Sequence, residues 1–209
     1  MNANKPYIVG LTGGIASGKS TASRILAGMG ARIIDADEIS HEVTGPGGAA
    51  VEAVRQAFGD EAVGADGGMD RRRVGAIVFA DREKRRLLEG IVHPTVQRIS
   101  LERIEQAGRD GVKLVILDVP LLFECGMDVL CDETWVVATD PDVQVKRLIS
   151  RDGLTAEQAQ RRIDTQMPLS EKLERATAAV DNNRSVERLK IELTALYHAA
   201  LRRAGRENA

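Results

Sequence analysis

Runs of aliphatic residues recur along the chain, and each run is hydrophobic on both faces of an extended backbone. Such runs are typical of buried parallel strands. Helical patterns separate them, and this alternation predicts an α/β protein with a central parallel sheet between layers of helices. The predicted strands, of which the fifth is the shortest, are Tyr7–Thr12, Ala31–Asp35, Val112–Val119, Thr134–Thr139 and Ala178–Val180.

The long stretch between the second and third strands contains no strand of comparable quality, and we interpret residues 38–111 as a helical insertion covering the carboxyl edge of the sheet. Its glycine-rich part, residues 59–68, predicts a loop. Proline removes a backbone donor and bends a helix, so we expect an interruption at His93-Pro94. The helices predicted around these breaks are 48–58, 71–79 with Asp70 as its cap, and 82–106.

A second helical stretch follows the fourth strand. A proline after aspartate, a capping-box pattern and a serine each provide a start signal for a helix. Pro168 ends the second of these helices. The three predicted helices are 141–150 after Asp140, 156–167 after Thr155, and 186–203 after Ser185.

The composition is close to the average of soluble globular proteins, since 43% of the 209 residues are hydrophobic and 29% are charged. The 29 Lys and Arg against 31 Asp and Glu give a formal charge of −2, without the positive field that drives general nucleic-acid binding. No apolar run approaches the roughly 20 residues that span a bilayer. We therefore expect neither a nucleic-acid nor a membrane partner.

The chain carries no visible sign of secretion. Met1–Pro6 lacks a basic region followed by an apolar core, so we expect no secretion signal. The two cysteines, Cys125 and Cys131, are too few to build a disulfide framework and are better interpreted as small hydrophobic residues. We expect a cytoplasmic protein that is a monomer or a weak homo-oligomer.

One motif carries clear chemistry and fits the phosphate-binding pattern G-x-x-x-x-G-K-[ST]. It follows the first strand and precedes an amphipathic helix, a context that argues against a glycine-rich turn with an unrelated lysine. Its glycines let backbone N–H groups surround ATP phosphates at a helix N-terminus. Lys19 is expected on the β- and γ-phosphates, and the Ser20 hydroxyl on Mg²⁺. The motif is Gly13-Gly14-Ile15-Ala16-Ser17-Gly18-Lys19-Ser20-Thr21.

This motif predicts a three-layer fold like that of the P-loop nucleoside triphosphate hydrolases, but it does not decide the reaction. The chain contains no Asn-Lys-x-Asp string for guanine, which argues against a GTPase. The third strand ends at Asp118 without a following glutamate, so the water-activating pair of motor ATPases is missing. Both observations favour a kinase that acts on a small acceptor.

Two carboxylates follow the second strand. On an extended chain Asp35 and Asp37 point to the same side, and the carboxyl ends of parallel strands line the ligand crevice. One of them is a candidate to accept the proton of an acceptor hydroxyl, and the other to hold Mg²⁺ through water. The alternative is that the pair only caps a helix and faces solvent.

At these residues the chain resembles the dephospho-CoA kinase family. The resemblance extends from about residue 7 to residue 183, nearly the whole chain, in the order of the family's motifs. Beyond the phosphate loop, it rests on Asp35-Ala36-Asp37, Arg71, Phe79, His93-Pro94, Pro120-Leu121-Leu122-Phe123-Glu124, Arg147, Arg151-Asp152, Arg162-Ile163, Gln166 and Asp181-Asn182-Asn183.

The resemblance implies transfer of the ATP γ-phosphoryl group to the ribose 3′-hydroxyl of dephospho-CoA, the last step of coenzyme A synthesis, with ATP and Mg²⁺ as cofactors. It implies that Asp37 is the general base and Asp35 a supporting carboxylate. It also implies a nucleotide-binding core at 1–37, 112–140 and 176–209, a CoA-substrate domain at 38–111, and a lid at 141–175.

Further site residues follow from the same resemblance. Arg147, also a catalytic candidate, and Arg151 are expected on ATP phosphates, and Asn182 or Asn183 near the adenine. The residues expected on the acceptor side are Arg71, His93, Pro120, Leu121 and Glu124.

Several of these residues have a plainer interpretation. For His93 the alternative is a structural role beside Pro94, and for Arg71 it is a place on a solvated helix face. Arg147 and Arg151 are four residues apart, which suits a phosphate clamp or a row of surface salt bridges. The Pro120-Leu121-Leu122 segment also fits core packing at a strand end.

The chain departs from the family pattern at three positions. Ala16 stands where glycine is common, a change that matters only if this residue has a positive φ. Thr177 replaces a frequent aspartate, and Arg184 replaces a frequent glycine, which argues against a left-handed residue there. The competing functions are a kinase for a nucleoside, nucleotide or sugar acid, and a nucleotide-gated binding protein.

Overall fold

Five strands form the central sheet, in the order β2-β3-β1-β4-β5. The computed structural model describes residues 5–207. The expectation that there is no secretion signal rests mainly on Met1–Asn4, which lie outside this range. β1 is at the centre and pairs in parallel with β3 on one side and β4 on the other. The strands are β1 (Tyr7–Gly13), β2 (Arg32–Asp35), β3 (Leu114–Asp118), β4 (Glu133–Ala138) and β5 (Ala178–Asp181). All five predicted strands are confirmed, with bounds that differ by one or two residues.

The hydrophobic runs of the inner strands are buried on both faces, as the sequence predicts, whereas the edge strands β2 and β5 are partly exposed. Every residue of β1 and of β3 is buried. Aliphatic side chains of two helices, α1 (Lys19–Gly28) and α9 (Val186–Glu207), pack into the same core cluster as β1 and β4. This packing holds α1 against the sheet, and so it positions the phosphate loop, which connects the end of β1 to the start of α1.

The remaining helices agree with most of the start signals. The Asp70 carboxylate caps α4, Thr155 forms a complete capping box at α7, and the Ser185 hydroxyl accepts from the Arg188 amide. Among the described residues, no helix is long and apolar enough to cross a membrane. These helices are α2 (Ala36–Thr44), α3 (Val51–Phe58), α4 (Arg71–Ala80), α5 (Arg82–Arg109), α6 (Pro141–Asp152), α7 (Ala156–Ile163) and α8 (Leu169–Arg175).

The interruption expected at His93-Pro94 is wrong. α5 is one helix of 28 residues that contains Pro94. The proline removes only the hydrogen bond to the carbonyl of Gly90, which is exposed, so water can satisfy it. Val92 and Val96 are buried on either side of the proline, and their packing favours continuation of the helix.

The end predicted for α7 is also wrong. The helix ends at Ile163, before the predicted Met167, and a separate α8 begins at Leu169. Residues 164–168 therefore form a connecting segment, whose contacts with the phosphate loop are described below.

The chain divides into two compact units. Asp35–Arg103 form one unit, and the described residues up to Ile34 and from Ile104 form the other. The smaller unit has its own core cluster, formed by Val54, Ala62 and Val74. The finer division into nucleotide-binding core, insertion and lid stays a prediction.

Candidate active site

The phosphate loop lies between β1 and α1, as the motif predicts. Gly18 has a φ of 92°, and a Cβ atom at this position would meet the side-chain amide of Asn182. Glycine is therefore required here on two grounds. Lys19 and Ser20 begin α1, and the first amides of a helix have no partner within it, so these N–H groups are available to an anion.

Side chains from other elements hold the carbonyl groups of this loop. The Ile15 carbonyl accepts from Gln144 Nε2 at 2.8 Å. The Ser17 carbonyl accepts from Thr139 Oγ1 at 3.0 Å and from Asn182 Nδ2 at 2.6 Å. Because these carbonyl oxygens are bonded to protein groups, the loop can present N–H groups to an anion.

The loop lysine is paired with a buried carboxylate. Lys19 Nζ donates to Asp118 Oδ1, at the end of β3. Asp118 is only 1% exposed and lies opposite Leu11 of β1 in the sheet. Sequence reasoning noted Asp118 as a strand end and missed its role at the site. The available signal was an aspartate closing an otherwise apolar strand.

An open cleft of about 480 Å³ adjoins the loop. It brings together most of the predicted nucleotide-binding residues, and three arginines give it a positive lining. Three residues in it were not predicted: Ser150, Arg184 and Val186. The lining residues are Ala16, Gly18, Ser20, Thr21, Arg147, Ser150, Arg151, Asn182, Arg184 and Val186.

The two predicted phosphate-binding arginines have different surroundings. Arg147 donates to the carbonyls of Ala16 at 3.2 Å and Asn182 at 2.9 Å. Arg151 forms a two-pronged pair with Asp152, at 2.7 and 3.0 Å. This hydrogen bonding raises the pKa of Arg151 and lowers the pKa of Asp152. Arg147 thus holds the loop in place through a backbone carbonyl group, and Asp152 holds the Arg151 side chain at the cleft.

The structure separates the two candidate asparagines. Asn182 lines the cleft, whereas the Asn183 side chain accepts from the Asp140 amide at 2.7 Å and donates to Asp181 Oδ1 at 2.8 Å. Asn183 therefore ties the end of β5 to the start of α6. Of the pair, Asn182 is the one placed where it could meet a nucleotide.

The segment after β3 is held by a buried lysine that sequence reasoning missed. Lys172 has no exposed surface; its Nζ lies 2.8 Å from Glu124 Oε1 and donates to the Pro120 carbonyl at 3.1 Å. The same Glu124 oxygen accepts from the Met167 amide at 3.1 Å. Leu122 is fully buried and Leu121 is half-buried. No signal pointed to Lys172, because α8 itself was not predicted.

In the smaller unit, Asp35 and Asp37 do not share an extended strand, so this premise is wrong. Asp35 is the N-cap of α2, and its carboxylate accepts from the amides of Asp37 at 2.8 Å and Glu38 at 3.2 Å. Asp37 lies in the first turn of the helix and is exposed. The capping alternative therefore holds for Asp35.

The smaller unit also contains a cleft of about 200 Å³ that brings Arg71 and His93 together. Arg71 is the first residue of α4, and its guanidinium donates to Thr44 Oγ1 at 2.6 Å. Arg71 is thus not simply a solvated side chain. The cleft is lined by Ser40, Thr44, Met69, Arg71, Leu88, Glu89, Val92 and His93.

The structure shows the surroundings of all three residues that depart from the family pattern. The Thr177 hydroxyl accepts from the Thr134 amide and donates to the Thr134 carbonyl, both at 2.8 Å, so it joins β4 to the start of β5. Arg184 lines the cleft, and its φ is not positive, as the sequence argued.

Ala16 is the third departure and has a φ of 58°, the one positive φ among the described non-glycine residues. An alanine in the left-handed conformation costs about 1–2 kcal/mol of stability. A glycine avoids this cost, but the greater freedom that it gives the unfolded chain lowers the free energy of unfolding by about 0.4–1 kcal/mol. We expect Ala16→Gly to raise the free energy of unfolding by roughly 0.5–1 kcal/mol in urea titrations.

A matched control for this substitution is Ala27→Gly, at an exposed position of α1. It should lower the free energy of unfolding by about 0.5–1 kcal/mol, because glycine weakens a helix. Equal destabilisation by both substitutions would contradict the strain assigned to Ala16.

The residues present suit a magnesium nucleotide. Magnesium is usually bound through one or two protein oxygens together with substrate phosphates, and Ser20 offers a hydroxyl at the cleft. Among the side chains that the structure describes, residues 5–205, no group of three or more His, Cys, Asp or Glu could hold a metal ion. The buried Ser17 Oγ has no hydrogen-bond partner among the described residues, which leaves a donor in the loop for a phosphate oxygen.

A strand–loop–helix phosphate site on a parallel sheet, beside a cleft lined by arginines, defines a P-loop nucleotide-binding protein. The family model described as dephospho-CoA kinase matches residues 7–188. The chain belongs to the dephospho-CoA kinase family. The resemblance found in the sequence, the fold class and the kinase assignment are thereby confirmed.

Individual relatives agree with the family match. The chain is 47% identical to the dephospho-CoA kinase of Symbiobacterium thermophilum, over 97% of this chain and 84% of the relative. The dephospho-CoA kinase structure from Campylobacter jejuni has a TM-score of 0.66 at 26% identity, covering 94% of this chain and 98% of that one. A solved protein from Thermus thermophilus has a TM-score of 0.77 at 36% identity, covering 93% and 97%.

Proposed function

We propose that the protein transfers the γ-phosphoryl group of ATP to the ribose 3′-hydroxyl of dephospho-CoA, giving coenzyme A and ADP, the last step of coenzyme A synthesis. The observation that carries the proposal is the phosphate loop with its paired Lys19, beside the cleft of about 480 Å³. Membership of the family and the names of the relatives support the choice of acceptor.

On the nucleotide side, the proposed roles follow from position. The N–H groups at the start of α1 and the Lys19 ammonium bind the ATP phosphates. Arg151 adds positive charge from the cleft wall, while Arg147 holds the loop. Asn182 is proposed near the adenine. Ser20 would hold Mg²⁺, which when bound neutralises phosphate charge.

On the acceptor side, Asp37 is the proposed general base. Its carboxylate takes the proton of the ribose hydroxyl as the hydroxyl oxygen attacks phosphorus and ADP leaves. Exposure of Asp37 in the first turn of α2 leaves it accessible to an acceptor. Asp35 supports it by capping the helix that carries it, and so orients its backbone.

The remainder of the acceptor is proposed to contact Arg71 and His93, which line one cleft of the smaller unit. A cationic guanidinium suits the diphosphate of dephospho-CoA. Glu124 and the Pro120 carbonyl, both bound to Lys172, are better suited to hold the segment beside Leu121 in place than to bind a ligand directly.

The location proposed is the cytoplasm, and the proposed state is a monomer or weak homo-oligomer. Cys125 and Cys131 are thiols rather than a disulfide, which suits a reducing compartment. Burial raises the pKa of Cys131 to about 12, so this thiol stays protonated and unreactive at neutral pH.

The decisive experiment is transfer of labelled phosphate from ATP to dephospho-CoA, with AMP, uridine and gluconate as competing acceptors. We expect one labelled product, and NMR should locate the new phosphate on the 3′-oxygen. Faster transfer to another acceptor would contradict the proposal. ATP hydrolysis that a macromolecule stimulates, without a phosphorylated small product, would instead support a nucleotide-gated binding protein.

A further inference from the structure

The two peptide groups that flank Ile15 in the phosphate loop are each held by a glutamine side chain. The Ile15 amide donates to Gln166 Oε1 at 2.8 Å, and the Ile15 carbonyl accepts from Gln144 Nε2 at 2.8 Å. The two glutamines come from different elements: Gln144 from α6, and Gln166 from the segment between α7 and α8. A glutamine amide offers both a donor and an acceptor, and each residue uses a different one here.

We propose that Gln144 and Gln166 are positioning residues, which fix the two peptide groups on either side of Ile15 and thereby set the phosphate loop in its ATP-binding shape. The proposal rests on the proposed function in one respect, that the loop binds ATP. A loop held in its bound conformation loses less entropy when the ligand arrives, so these contacts raise affinity without touching the nucleotide.

The position of Gln166 is itself fixed by buried charge. Its neighbour Met167 donates its amide to Glu124, which is paired with Lys172. Lys172 is wholly buried and also donates to the Pro120 carbonyl, which in turn accepts from Thr12 Oγ1 at 2.9 Å. The segment 164–168 is thus attached at two adjacent residues, and Gln166 is held against the loop.

The contacts of Ile15 indicate that the two glutamines support the loop and do not compete with phosphate for its amides. Among the described residues, Ile15, Gln144 and Gln166 do not line the cleft, whereas Ala16, Gly18 and Ser20 do. Gln144 is only 3% exposed. The Ile15 amide and the Ile15 carbonyl are therefore each bonded to a protein side chain, and neither glutamine occupies an amide that lines the nucleotide cleft.

The test uses methionine, which is close to glutamine in size and lacks its amide. ATP affinity is measured by calorimetry on the full chain carrying Gln144→Met, Gln166→Met, or both. Gln56→Met is the matched control, because Gln56 is exposed on α3 and its side chain donates to Glu52 of the same helix. Thermal unfolding without nucleotide, and KM for ATP and for dephospho-CoA, complete the set.

We expect each single substitution to weaken ATP binding by about 5- to 30-fold, because a partly buried peptide group loses its partner and the loop is no longer held in its binding shape. KM for ATP should rise while KM for dephospho-CoA stays within about twofold, and the control should match the wild type. The double variant should lose less than the product of the single losses, because both residues hold the backbone at Ile15.

Three results would overturn the proposal. Unchanged affinity in the single variants would show that the loop does not need the glutamines. Tighter binding in Gln166→Met would show that Gln166 blocks an amide which phosphate uses. Losses that multiply fully in the double variant would show independent action. Because binding is measured directly, the result stands even if another acceptor replaces dephospho-CoA.

Discussion

Lys19→Ala should lower kcat/KM for ATP by about 10²- to 10³-fold, the usual effect of removing one preorganised charged donor from a developing negative charge. The loop amides would still bind phosphate weakly, so residual turnover is expected at high ATP concentration. Steady-state kinetics with varied ATP measures the loss. An unchanged dependence on ATP would contradict the placement of the nucleotide at this loop.

The same substitution should also destabilise the fold. Asp118 is nearly inaccessible, and breaking a buried ion pair by removing one partner costs about 3–5 kcal/mol. Lys19→Ala combined with Asp118→Asn removes the buried negative charge as well, and should recover most of this stability without recovering turnover. Recovery of both would show that the single variant lost activity through unfolding.

The residues that the sequence predicted well depend on local chemistry. The phosphate loop is one continuous segment, and its glycine pattern together with the flanking strand and helix determines its shape. The caps at Asp70, Thr155 and Ser185 likewise involve amides within three residues of the cap. Such contacts are visible in a sequence because the partners are adjacent in it.

The features that were mispredicted depend on packing between distant segments. Pro94 stays helical because buried residues on both sides hold α5 together. In the sequence, Lys172 looks like any other charged residue of a helix. It is nevertheless wholly buried, because its ammonium group forms an ion pair with Glu124, 48 positions earlier. Gln166 was recognised only as a family landmark, since its partner Ile15 lies 151 positions away.

Asp35 and Asp37 show the same limit at shorter range. The prediction placed both on an extended chain, where alternate side chains share a side. The Asp35 carboxylate accepts hydrogen bonds from two amides, so α2 begins at the next residue, Ala36. Asp37 therefore lies in the first turn of this helix and not on an extended strand. A capping signal and a catalytic signal look alike in the sequence, because both are a carboxylate after a strand.

Asp37→Asn should lower kcat by about 10²- to 10⁴-fold, the usual contribution of a positioned general base, while ATP affinity stays within about twofold. The fold should tolerate the change, since an acidic residue in the first turn of a helix contributes only about 0.3–1 kcal/mol. Single-turnover phosphorylation of dephospho-CoA measures the loss of catalysis, and a separate measurement of ATP binding shows whether the affinity has changed.

Glu38→Gln is the matched control for this prediction, because Glu38 is the next residue of the same turn and is also exposed. It removes the same charge from the same helix end, so turnover should stay near the wild-type value. Asp35→Asn keeps a good N-cap and should lose less turnover than Asp37→Asn. A loss shared equally by Asp37→Asn and Glu38→Gln would assign the effect to the charge of the helix end, and near-normal turnover in Asp37→Asn would remove this residue as the base.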